Sequence, residues 1–361
     1  MKYQTRKPPE EFTVEQLDRE LIVRGVEALD KKEFQFTDGT GVPELDAVMK
    51  EVKELYKIAK TWPRNEALRD LNTDDLVKKL LFMTGRIDVN GERGIHGKDE
   101  RKDFHEITDE HIRKNANCTA TICLKDNFTA KKKGFSDLKT KNYGDTFRLS
   151  LSEPFHFQPI AAGSICTGFL VKEDVVATAA HFANETNVTD LRIIFDYKIV
   201  DTSLPDARYP NDNIYHGVEI IQRVHERKRD RPDWALVRLD RKVAGQSIAA
   251  LSREPISCGQ AVYAIGYPCG LPLKYAPGAT VCNITEACFG ANLDIFMGNS
   301  GSPVFRCDTH EVIGMVVRGD NQDLRWTENG WISIIYPNRE IFSENPQCTR
   351  VSQFVDIVDK L

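Results

Sequence analysis

The residues best suited to covalent chemistry lie in Met297-Gly298-Asn299-Ser300-Gly301-Ser302-Pro303-Val304. Ser300 sits between short, flexible neighbours, a composition suited to a tight turn that presents a hydroxyl among backbone N–H groups. A serine hydroxyl alone is a poor nucleophile. Acyl transfer also needs a base to take its proton, an acid to orient that base, and donors for the developing oxyanion. Two other stretches offer the first two. Val176-Ala177-Thr178-Ala179-Ala180-His181 puts a histidine directly after an apolar run, and Asp233-Trp234-Ala235-Leu236-Val237-Arg238-Leu239 puts an acid directly before one. Singly, such a histidine reads as a core residue and such an aspartate as a turn residue. In the order His, Asp, Ser within one β-rich region they read as a set.

Composition narrows the function classes. The 361 residues carry 49 Lys and Arg against 54 Asp and Glu, a net charge of −5, so bulk charge argues against a nucleic-acid partner. No apolar run approaches the length of a membrane span, which excludes a helical membrane protein. The start, Met1-Lys2-Tyr3-Gln4-Thr5-Arg6-Lys7-Pro8-Pro9, lacks the apolar core of a secretory signal, and the expected location is cytoplasmic. The nine cysteines form no C-x-x-C pair, so no metal is expected, and reduced thiols are the default; acyl transfer through a serine would need no cofactor.

Three regions are expected. Residues 1–84 read as a small α-helical domain. Leu17, Leu21, Ile22, Val26 and Leu29 recur near a 3.6 period, and Thr13 with Gln16 forms a capping-box pattern. Further helices follow over Pro43–Ile58 and Thr73–Met83. Residues 10–83 could dock a regulatory protein partner or simply be a packing extension or propeptide. Residues 85–115, with Gly85, Gly91, Gly94, Gly97 and the charged run Lys98–Asp103, read as a flexible linker whose His96, His105 and His111 are solvated. Residues 116–361 carry many short apolar runs punctuated by Gly, Pro, Asn and Asp, which predicts mostly antiparallel β structure as barrels or a sandwich. A closing amphipathic helix is expected after Thr349.

The three motifs, T-A-A-H, D-x-A-L and G-N-S-G-S-P, resemble in order those of chymotrypsin/trypsin-like serine peptidases, over roughly residues 116–361. Asn299 before the serine is most similar to the bacterial glutamyl-endopeptidase-like branch. The resemblance implies two six-stranded antiparallel β-barrels, Ser300 as nucleophile, His181 as general base and then acid, and Asp233 as the orienting acid. It places the oxyanion hole at the N–H groups of Gly298 and Ser300 and the substrate-pairing strand at Val317, Arg318 and Gly319. Asp294, six residues before Ser300, takes the place of an acidic specificity-pocket base that favours Arg or Lys, whereas Arg318 could instead favour an acidic substrate. Asp230, in a charged run, is passed over as the acid; His216 and His225 lack the flanking small residues and read as surface or core.

Two departures carry information. Phe182 stands where many secreted relatives have a cysteine that pairs with the position of Cys166, so that bridge is not expected. The I-V-G-G start of trypsin-type zymogens is absent. The resemblance thus implies a serine endopeptidase acting on protein or peptide substrates; the alternative is a catalytically silent adaptor on the same scaffold.

Overall fold

The apolar runs after Asn117 become strands because β-branched and aromatic residues fit a pleated, half-buried surface. The structure, a computed structural model, describes Arg19, Glu20, Ile22 and Val23, and residues 94–361 apart from 164, 206, 227–229, 320–322, 328 and 337–345. The chain divides into two units, Met1–Asn90 and Gly91–Leu361. Arg19, Glu20, Ile22 and Val23 are helical; the rest of the helical domain expected over residues 1–84 lies outside the described residues.

Within the second unit, the first barrel comprises β1 (Thr119–Leu124), β2 (Ile165–Lys172), β3 (Val175–Thr178), β4 (Leu191–Ile194), β5 (Tyr215–His225) and β6 (Asp233–Leu239). Their order is β4-β5-β6-β3-β2-β1, closed through β1 and β4, where Leu191 faces Leu124 and Ile194 faces Thr121. The second comprises β7 (Ala261–Gly266), β8 (Lys274–Ile284), β9 (Cys288–Ala291), β10 (Pro303–Arg306), β11 (Val312–Arg318) and β12 (Gln347–Arg350). These run β7-β10-β11-β12-β9-β8 and close through β7 and β8. All these pairings are antiparallel. Closure leaves neither sheet a free edge. Phe169, Leu170, Val176, Leu236 and Val237 are buried in the core cluster that takes in the first barrel, while Val262, Val281, Phe289, Val304 and Ile313 belong to a core of the second.

The linker expectation fails for residues 94–115. Ile95–His96 pairs in parallel with Ile335–Tyr336, and Lys102–Asp103 pairs with β8 at Lys274 and Tyr275. Asp109 caps helix α1 (Glu110–Asn117) by accepting the N–H groups of His111 and Ile112. His96 is fully buried, unlike a solvated linker histidine. The charged run misled because three of its charges, Asp99, Arg101 and Asp103, are paired within the fold. Arg101 bonds Asp99 through Nε and Nη2 at 3.0 and 2.8 Å and lies 4.4 Å from the centre of the Phe296 ring, while Asp103 pairs with Lys274 at 2.5 Å.

Two further differences lie in the barrel domain. Residues between β1 and β2 add a short sheet (Phe128–Ala130 and Phe135–Leu138 with Arg208–Pro210) and helix α2 (Tyr143–Phe147). The closing helix is broken into a single 3-10 turn (Val351–Gln353) and α3 (Val355–Val358), because Phe354 between them is non-helical at φ −139°; its ring packs on Trp234 of the first barrel with ring centres 5.6 Å apart. No helix among the described residues is long and apolar enough to cross a membrane.

The Lys274–Asp103 pair sets a test. Burial is the largest influence on Lys274 and, against the opposing pull of Asp103, lowers its ammonium to about 8. Between about 8 and the ordinary 10.5 the unfolded chain then holds more protons, so this lysine makes stability rise with pH across that window. Asp103→Ala strands a buried ammonium and is expected to cost about 3–5 kcal/mol in urea unfolding near neutral pH. A double variant, Asp103→Asn with Lys274→Met, should lose the alkaline rise; a slope equal to wild type would assign it to other groups.

Candidate active site

The stretch around Ser300 is fixed from behind by the first barrel. The Ser300 carbonyl accepts the N–H of Thr167 at 2.8 Å and the Cys166 thiol at 2.8 Å, both from β2. Thr167 Oγ1 donates to the Gly298 carbonyl at 2.9 Å and accepts the Tyr267 N–H at 3.2 Å. Backbone this close to backbone leaves no room for side chains. A Cβ on Gly301, at φ +84°, would stand 1.9 Å from the Thr167 oxygen, and one on Gly298, at φ +91°, 2.6 Å from the Tyr267 oxygen.

The N–H groups of the turn divide cleanly. Met297 donates to Asp323 Oδ2, Asn299 to the Phe296 carbonyl, Gly301 to the Val316 carbonyl and Ser302 to the Asn299 carbonyl. Those of Gly298 and Ser300 have no acceptor among the described residues. Two such N–H groups, the serine's own and one two residues before it, are the kind of donors that an oxyanion hole would use. The Ser300 side chain is half-buried, and its hydroxyl makes no hydrogen bond among the described residues.

His181 follows β3 past two fully buried alanines, where larger side chains would not fit. Its Nδ1 lies 2.8 Å from Asp233 Oδ2, and its backbone N–H donates to Oδ1 at 3.1 Å. The carboxylate thus grips both ring and backbone. With Asp233 ionised, Nδ1 carries the proton and Nε2 is left as an acceptor. Burial is the strongest influence on Asp233 and opposes its charge. The His181 hydrogen bond and charge, followed by Arg318 and His225, nonetheless hold the carboxyl below its ordinary value. The histidine and serine segments meet through β2: Thr178 Oγ1 donates to the Thr167 carbonyl at 2.7 Å, next to the Thr167 N–H that holds Ser300.

Residues 166–315 match the family of trypsin-like peptidase domains. Over those residues the chain is similar to trypsin-like peptidase domains. The matched range contains His181, Asp233 and Ser300 and ends before Val317. The match is to the family as a whole and does not select the glutamyl-endopeptidase branch. No curated protein matches the chain in sequence. Similar solved structures include the scabies mite inactivated protease paralogue S-I1, at 16% identity over 74% of this chain and 100% of that one, TM-score 0.43. Another is the active form of the Rv3671c protease of M. tuberculosis, at 13% identity over 74% of this chain and 88% of that one, TM-score 0.41.

The two barrels treat the specificity candidates differently from the sequence expectation. Asp294 is buried, and its Oδ1 accepts the His96 N–H at 2.7 Å. It anchors the 94–97 segment rather than lying open at the base of a pocket for Arg or Lys. The Arg318 guanidinium is likewise engaged, donating to the carbonyls of Arg231 (2.5 Å) and Glu226, so it is not presented to an acidic side chain. Val317 and Arg318 end β11, whose Val316 bonds Ser302 and Gly301 beside the serine; Gly319, just past the strand, has no backbone bond to a described residue. No group of three or more potential metal ligands occurs among the described residues.

Several contributors were missed in sequence. Thr349 Oγ1 accepts the Asp233 N–H at 3.1 Å and donates to its carbonyl at 3.2 Å, and His225 Nδ1 lies 3.5 Å from Asp233 Oδ2. Thr349 lies 116 residues from its partner, so no local pattern announces it. For His225 a signal existed, because its strand ends just before the Asp233 strand begins.

Replacing Thr349 with Val keeps the shape but leaves the Asp233 N–H and carbonyl without that hydroxyl. Thr349→Val is expected to lower stability by about 1–3 kcal/mol in denaturant unfolding. Reaction of Ser300 with a fluorophosphonate should also slow. A fully stable, fully reactive variant would show that this contact does not hold Asp233.

Proposed function

We propose that the chain is a serine endopeptidase that cleaves peptide bonds through a Ser300 acyl-enzyme. The observation that carries the reading is the His181–Asp233 pair joined to a serine turn whose unpaired N–H groups are those of Gly298 and Ser300. In the first half-reaction His181 Nε2 takes the Ser300 proton as Oγ bonds to the substrate carbonyl carbon. The Gly298 and Ser300 N–H groups receive the resulting oxyanion. The C–N bond then breaks as His181 returns the proton to the leaving amine. Water repeats the sequence: His181 takes its proton, hydroxide adds to the acyl carbon, and Ser300 leaves with the proton restored. Asp233 stays ionised throughout, holding the ring's tautomer and stabilising the imidazolium.

Val317–Gly319 offers strand-end backbone to an extended peptide, a mode of binding indifferent to side chains. With Asp294 and Arg318 engaged elsewhere, no single charged residue is assigned to substrate preference. Residues 10–83 remain the candidate surface for a regulatory protein partner. Activity of the full chain should be compared with that of a chain beginning at Gly91, since one beginning near Asp99 would remove the buried Ile95 and His96.

Ser300→Ala should abolish peptide hydrolysis and fluorophosphonate labelling. His181→Ala should cost nearly as much, and the double variant little more, because the groups act as a unit. Asp233→Asn is expected to lower kcat by about 10⁴-fold by fixing the wrong tautomer. Asp233, held below the ordinary carboxylate range, stays ionised at neutral pH, so acidification into that lowered range should cost activity as the carboxylate that orients the His181 ring is lost. Full proteolysis by Ser300→Ala would refute the assignment.

A further inference from the structure

Arg318 ends β11, but its guanidinium turns away from an approaching peptide. Its side chain is 20% exposed and reaches over the loop that leads into β6. Nη1 donates to the Arg231 carbonyl at 2.5 Å, Nη2 donates to the Glu226 carbonyl, and Nη2 stands 3.7 Å from Asp233 Oδ2. The same loop is held from β12. Gln347, the register partner of Arg318, accepts the Asp230 N–H at 3.1 Å and donates to Asp230 Oδ1 at 2.6 Å. Thr349 of β12 holds the Asp233 backbone. Asp233 Oδ2 thus faces His181 after β3, His225 at the end of β5 and Arg318 at the end of β11.

The chemistry of this contact is specific to arginine. A planar fork with divergent N–H donors can bridge two carbonyls and still set its charge beside a carboxylate; an ammonium offers one point. Two carbonyl acceptors also fix the fork's orientation, so it does not have to be recruited from solvent when Asp233 needs a counter-charge.

We propose that Arg318 is a positioning residue of the catalytic set: a clamp from the second barrel that fixes the loop carrying Asp233 and, through Asp233, the ring of His181. The inference rests on the peptidase reading above and deepens it. Arg318 acts by holding the acid that holds the base and does not itself touch substrate. The strand end assigned to grip the peptide and the carboxylate that orients the base are therefore joined by one side chain.

Two readouts test the clamp. The first is the rate of Ser300 labelling by a small fluorophosphonate, which carries no side chain for Arg318 to recognise. The second is the downfield NMR signal of the His181 Nδ1 proton in a Ser300→Ala background, which needs no turnover. Arg318→Gln is expected to slow labelling by about 10²-fold, the effect of a misplaced catalytic group. It should also shift or broaden the Nδ1 signal while the amide spectrum stays that of a folded chain. Arg318→Lys, which keeps the charge and loses the fork, should slow labelling as well and provides the reading if Arg318→Gln does not fold. Wild-type labelling by the folded variants with an unchanged Nδ1 signal would overturn the clamp. A rise in KM confined to acidic peptides would then make Arg318 a substrate residue. If the wild type does not label but its Nδ1 signal still depends on Arg318, the peptidase reading falls and the clamp stands.

Discussion

Each barrel of this protein holds a candidate site residue of the other. Ser300 belongs to the second barrel, yet its carbonyl is bonded by Thr167 and Cys166 of the first. Asp233 belongs to the first, yet its backbone is bonded by Thr349 of the second, and its loop by Gln347 and Arg318. Because backbone groups buried without partners are costly, these bonds resist sliding of one barrel against the other. A shift along the seam would break contacts on both sides at once. The relative placement of the Ser300 turn and the His181–Asp233 pair is thereby a property of the interface rather than of either barrel.

The segment before the first barrel strengthens the same region. Arg101 lies against Phe296, which opens the turn toward Met297 and Gly298, and Asp294 is tied to the His96 N–H. Asp103 and Lys274 close a buried pair that Gln158 joins, accepting from Lys274 Nζ at 2.8 Å and donating to Asp103 Oδ2 at 2.7 Å. Pairs of this kind contribute little net energy over a hydrophobic equivalent but are costly to break one-sidedly, which suits them to fixing a register. Residues 94–107 therefore act as a strap across the second barrel.

His181, Asp233 and Ser300 were legible in the sequence because each adjoins a strand and carries constraints readable locally: buried alanines before the histidine, an apolar strand after the aspartate, glycines around the serine. The barrels were legible where apolar runs were strong, as in Ile165–Lys172 and Val312–Arg318. Cys288–Ala291 and Gln347–Arg350 were not, since neither is rich in β-branched residues and both become strands through partners distant in sequence. Residues 94–115 were misread because composition registers charge but not pairing. The roles of Asp294 and Arg318 were misread for a related reason: spacing gives a position along the chain, whereas function depends on which acceptors a side chain reaches.

Cys166 lies fully buried against the back of the Ser300 turn, and that burial pushes its thiol up to about 12. A thiol so protonated and enclosed is inert to alkylating reagents, which attack the thiolate. It becomes reactive only in moments when β2 and the serine turn part. The rate at which Cys166 is modified therefore counts openings of the inter-barrel seam, giving the protein an internal clock for that motion, one that runs without substrate.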